Sequence, residues 1–238
     1  MAAVLQFYQN FISPLVRNGY PALAILGLWV GLQRAGLTPK ARMTGIVTTG
    51  LLLVWWLTTD QLGRAGFYAP HWQVMRPLGW AVAIVWLVPL ARSESIGAAL
   101  DAIPPWWLIG LQVYRAGGGL IWFAQWSAGR VPTGIALWAG TGDFLTGVLA
   151  VVAALYVYSG ARGGRVAGIA WNVFGILDCA SAFVVASFVP YTLPYPAVMI
   201  PAFLAPLSLD FHGLSLRQLA RAVKRESRPS EPAAVLAH

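Results

Sequence analysis

Apolar residues run along this chain in long blocks, separated by short polar connections. That pattern belongs to helices whose outer faces meet lipid rather than water. Seven blocks read as membrane-spanning helices, at about 20–33, 43–59, 77–90, 106–126, 134–159, 166–189 and 195–211. The first and third are short; the fourth, fifth and sixth are long. The expected fold class is an all-α integral membrane protein, a polytopic bundle of about seven transmembrane helices.

Ahead of the first block, Val4, Phe7, Tyr8, Phe11, Ile12 and Leu15 recur at helical spacing, with Gln6, Gln9 and Asn10 off that stripe. The spacing predicts an amphipathic helix in the membrane interface over residues 1–17. Residues 18–212 form the transmembrane domain. Residues 213–238 form a basic cytoplasmic tail whose Pro-, Ser- and Ala-rich end is expected to be disordered. Residues 92–105, with Arg92, Glu94, Asp101 and two prolines, read as a polar connection.

Composition strengthens the membrane reading. The chain is 58% hydrophobic and 10% charged, against roughly 25% charged for a soluble domain. Its twelve tryptophans suit the two membrane interfaces. The formal charge of +8 does not indicate nucleic acid, because the basic residues lie in short connections and the tail. They also set the orientation. An external N-terminus puts Arg34, Lys40, Arg42, Arg92, Arg162, Arg165 and the tail cations inside, and only Arg17, Arg64, Arg76 and Arg130 outside. The positive-inside rule therefore predicts the N-terminus outside and the C-terminus cytoplasmic, in what reads as a bacterial inner membrane. No removable signal peptide is expected. The lone cysteine, Cys179, allows no disulfide within the chain.

Three charges fall inside apolar blocks, where charge is costly and normally faces the bundle interior: Arg115, Asp143 and Asp178. Helical spacing puts Gln112, Arg115, Gly119 and Trp122 on one face, Gly140, Asp143 and Gly147 on another, and Asn172, Gly175, Asp178 and Ala182 on a third. The fifth and sixth blocks form a hairpin with Asp143 and Asp178 at similar distances from its turn. The expectation is a buried Arg–Asp–Asp cluster with Gln112 and Asn172 beside it, binding a substrate or ion. One cation against two carboxylates leaves one surplus negative charge, which a proton or cation would neutralise.

Other features are weaker. Pro194, Pro196, Pro201 and Pro206 predict a broken or kinked last span. Asp210 and His212, just beyond, are secondary site candidates; a solvated cap at the cytoplasmic interface is the simpler expectation for them. Gly117, Gly118 and Gly119 suggest close helix packing or an unwound segment.

Several classes are disfavoured. A retinal protein needs a lysine inside the bundle, and the only lysines are Lys40 and Lys224. His71 and His212 fall near opposite membrane faces, so a bis-histidine haem does not fit. No cofactor is predicted, although a haem with a single histidine ligand stays compatible. One cysteine and three histidines argue against a zinc or copper site. There is no nucleotide fingerprint, and the flanks of Asp143 and Asp178 lack the motifs of intramembrane aspartyl proteases.

The expected partners are the lipid bilayer and a small-molecule or ion substrate, with no nucleic acid. The first functional expectation is a small proton- or cation-coupled transporter or permease rather than an enzyme. A non-catalytic membrane subunit or assembly protein with a structural ion cluster is the alternative. A cofactor-binding electron-transfer or sensory protein comes third.

Overall fold

The computed structural model describes residues 13–71, 100–189 and 193–226 continuously, with positions 6, 7, 10, 11, 77, 80, 81, 98 and 191 besides. Among the described residues the regular structure is entirely helical. Seven α-helices carry it: α1 (Ser13–Ala35), α2 (Pro39–Arg64), α3 (Pro105–Gly110), α4 (Tyr114–Ser127), α5 (Thr133–Tyr158), α6 (Gly164–Phe188) and α7 (Ala205–Glu226). A 3₁₀ turn, Leu111–Val113, joins α3 to α4, and a π-helix, Ile200–Leu204, leads into α7.

Among the described residues four helices are long and apolar enough to cross a membrane: α1, α2, α5 and α6. Their outward faces confirm the chemistry. Met43, Val54, Leu57, Trp138, Val152, Leu155, Val166, Leu177 and Phe188 are large, apolar and exposed, far more than a soluble monomer displays. The expected count of seven spans is therefore seen only in part. Most of the block at 77–90 and half of the N-terminal stripe, Val4, Tyr8 and Ile12, lie outside the described residues. The block at 106–126 is helical throughout, but the 3₁₀ turn at Gln112 divides it. The last block is broken: residues 195–198 form turns, the π-helix follows, and α7 then continues through residue 213 to Glu226. Pro201 and Pro206 cannot donate backbone N–H bonds, which is why the regular helix starts only at Ala205.

Local sequence explains the tight connections. At the start of α2, the Thr38 hydroxyl accepts a bond from the Ala41 N–H at 3.1 Å, and Pro39 takes the first helical position. The α5–α6 turn has positive φ at Gly160 and Gly163, 64° and 87°, a conformation that favours glycine. The most intimate packing is α4 on α5 and α5 on α6, with α7 laid across α3 and α6.

The faces of α7 hold the bundle together. Leu207, Asp210, Phe211 and Leu214 follow one helical stripe and turn toward α1, α2 and α3. Ser208, His212 and Ser215 follow another and are fully buried toward the 3₁₀ turn, α4 and α6. At the hairpin end, Asp101 pairs with Arg217 at 3.0 Å and with Arg221, and the Gln218 amide donates to the Ile103 carbonyl at 2.9 Å. The basic residues at the end of α7 therefore anchor it to the segment before α3.

Candidate functional site

Glycines decide how close the site-bearing helices come. A methyl group at Gly147 would collide with the backbone of Ala116, and one at Gly119 with the backbone of Gly140 and Phe144. Bare backbone on both sides lets α4 and α5 nearly touch. The glycine run on α4 is thus a helical packing surface, not an unwound segment. Two further glycines seat polar side chains. The Asp178 carboxylate rests where a Gly142 side chain would stand, and the His212 ring rests on Gly175.

Into this space four helices deliver one connected polar network. Asp143 stands fifteen residues before the end of α5 and Asp178 fourteen after the start of α6, so they reach the same level across the hairpin. Arg115, at 3% exposure, lies between them. Its Nε donates to Asp143 Oδ1 at 2.8 Å, and one terminal nitrogen serves Asp143 Oδ1 at 2.7 Å and also Asp178 Oδ2. Trp122 Nε1 donates to the other Asp143 oxygen at 2.9 Å.

The remaining Arg115 nitrogen faces His212 Nε2 at 3.2 Å. A guanidinium can only donate, so Nε2 accepts, and His212 is neutral with its proton on Nδ1. That Nδ1 faces Asn172 Oδ1 at 3.1 Å, and the Ser215 hydroxyl donates to the same oxygen at 2.6 Å. Asn172 Nδ2 then donates to the Gly168 carbonyl at 2.8 Å. The file Asp143/Asp178–Arg115–His212–Asn172–Ser215 is continuous and runs toward the hairpin end.

Arg115, Asp143, Asp178 and Asn172 meet in one network. Gln112 lies beside it and is paired elsewhere: its amide nitrogen donates to the Ser208 carbonyl at 3.0 Å, and the Ser208 hydroxyl donates to its oxygen. His212 is not a solvated cap but the fully buried link between Arg115 and Asn172. Asp210 points to the other side of α7 and contacts a different cavity. Both ring nitrogens of His212 are engaged, which leaves no lone pair for a haem iron. Among the described residues no group of three or more His, Cys, Asp and Glu side chains is placed to hold a metal.

A small cavity opens beside the ion cluster. Arg115, Asp143, Trp122, Cys179, Tyr191 and Pro201 are among its walls, and the space open to water centres is about 40 Å³. That is room for two or three waters, since one needs roughly 10–15 Å³.

These pieces lie within a stretch that a family model matches. The chain belongs to the family described as domain of unknown function DUF8737, whose model matches residues 71–220. Helices α1 and α2 stand outside that match, whereas every residue of the Arg115 network lies inside it. No curated protein and no solved structure matches the chain.

A second polar group escaped the sequence reading. Asp60, 6% exposed, accepts from Arg64 Nε at 2.7 Å and from the Tyr195 hydroxyl at 2.9 Å, and pairs with Arg17 at 3.4 Å. Both guanidinium groups also lie over the Tyr195 ring, at 5.4 and 5.0 Å from its centre. It ties α1 and α2 to the segment before the π-helix. The i, i+4 spacing of Asp60 and Arg64 was the available signal; Arg17 and Tyr195 join only through tertiary contact.

Proposed function

We propose that the Arg115–Asp143–Asp178 cluster is the proton- or cation-binding centre of a small multi-pass transporter. Its host would be a seven-span protein of a bacterial inner membrane, with the N-terminus outside. The observation that carries this reading is the pairing of two buried carboxylates with one guanidinium beside a water-sized cavity. The surplus negative charge needs a proton or a small cation, and the cavity gives it a place to enter.

His212 supplies the coupling. Its Nε2 is an acceptor only while unprotonated. A proton arriving there turns an attraction to Arg115 into repulsion. Arg115 then shifts its hold on the two aspartates, which sit on different helices. Proton binding thus changes the contact between α5, α6 and α7. The 3₁₀ turn at Gln112 and the π-helix before α7 are the irregular segments that can yield.

An assembly role is the second reading. It is favoured by the saturation of Arg115, whose three nitrogens are all engaged, and by the bare-backbone contact of α4 with α5. In that case the ions fix helix packing and bind nothing that exchanges.

Charge movement on a supported membrane separates the two. Full-length protein in proteoliposomes is subjected to pH and sodium jumps. Transport predicts a transient current that disappears in Asp143→Asn/Asp178→Asn while the protein remains folded. No current in the wild type, with only stability altered in the variants, favours the assembly reading and overturns the transport one.

A further inference from the structure

The other face of α7 borders a larger cavity, between α1, α2, α3 and α7. About 80 Å³ of it is open to water centres, room for five to eight waters at roughly 10–15 Å³ each. The walls are apolar: Leu28, Leu52, Trp55, Leu108, Phe211 and Leu214 are among them. Two buried polar atoms in this lining, Asp210 Oδ1 and Trp107 Nε1, lack a hydrogen-bond partner among the described residues. Asp210 forms no ion pair among the described residues, although every other described acidic side chain in a helix interior has an arginine against it. A carboxylate left so is costly, and natural proteins seldom keep one without a use.

The missing partner has a definable chemistry. Among the described residues Asp210 lacks a countercharge and its Oδ1 lacks a donor, and an ammonium supplies both. A quaternary ammonium would bring charge without the hydrogen bond. Trp55, Trp107 and Phe211 place aromatic rings, which attract cations, in the lining, and the aliphatic walls accept an alkyl chain. We propose that this cavity is a second binding site, taking a lipophilic primary amine whose ammonium pairs with Asp210 and whose chain lies among Leu28, Leu52 and Leu108. No residue of the Arg115 network lines it, so the inference stands independently of the transport reading.

Saturation binding of radiolabelled octylamine to the full chain in lipid nanodiscs tests it, with octanol as competitor. Octylamine is expected to bind saturably. Asp210→Asn should weaken it at least tenfold, Asp210→Glu should retain it, and octanol should not compete at equal concentration. Thr48→Phe, which fills the cavity without touching a charge, should also weaken binding and guards against misfolding of the Asp210 variants. Octylamine binding that is unaltered in folded Asp210→Asn, or equal competition by octanol, overturns the proposal.

Discussion

Replacing Arg115 by methionine should be the most damaging single change in the bundle, and the structure sets its size. Arg115, Asp143 and Asp178 have side chains only 4%, 14% and 7% exposed. Removing the guanidinium leaves two carboxylates facing each other, with Asp143 keeping only the Trp122 indole as donor among the bonds described. Breaking one buried ion pair from one side costs about 3–5 kcal/mol, and here two acids lose the same partner, which points to the upper end. For a chain of this size that corresponds to a fall in melting temperature of roughly 10–20 °C. Asp178→Asn should be far milder, about 1 kcal/mol, because it removes surplus charge and leaves a balanced Arg115–Asp143 pair. The triple variant Arg115→Met/Asp143→Asn/Asp178→Asn should recover most of the loss, since no charge remains to be stranded. Equilibrium unfolding of the four proteins in mixed micelles, followed by tryptophan fluorescence, gives the comparison. Equal losses for Arg115→Met and Asp178→Asn, or a triple variant no better than Arg115→Met, would refute the charge argument.

Other outcomes follow from steric and hydrogen-bond detail. Gly147→Ala places a methyl on the Ala116 backbone, which no rotamer can relieve, and should cost about 1–3 kcal/mol by thermal unfolding. Gly50→Ala, in α2 with nothing within 4 Å, should instead stabilise by roughly 0.5–1 kcal/mol. Tyr195→Phe removes the hydroxyl that joins Asp60 to the last segment and should cost about 1 kcal/mol by unfolding in the same micelles. Asp210→Asn, by neutralising an unpartnered buried carboxylate, should raise stability by about 1–3 kcal/mol even as it removes amine binding.

Much of this architecture was legible because long apolar blocks follow a simple rule. Apolar blocks of sufficient length become helices, and α5 and α6 match their predicted bounds within two residues at each end. The three charges set inside apolar blocks were legible for the same reason, since each is too costly to leave on an apolar outer face. His212 was harder. Its position after four prolines suggested the end of a span, yet α7 only begins there, and Ser208, His212 and Ser215 form a buried polar stripe at i, i+4 and i+7. The seat of that stripe on Gly175 and Asn172 depends on how α7 crosses α6, which periodicity within one helix does not encode. The Asp60 group was hidden for a related reason. Arg17 and Arg64 look like ordinary topology-setting charges until Tyr195, far along the chain, brings them onto one carboxylate.

The central claim is that the Arg115 cluster holds an exchangeable proton or cation. Infrared difference titration of the full chain in lipid tests it directly, with pH and sodium varied and aspartate variants assigning the carboxyl bands. An exchangeable proton or cation gives a carboxyl signal that changes with pH or sodium, disappears in Asp143→Asn/Asp178→Asn, and survives in Asp210→Asn. A cluster whose two carboxylates show no response to either variable would contradict it, and would leave Arg115 as a fixed pin between helices.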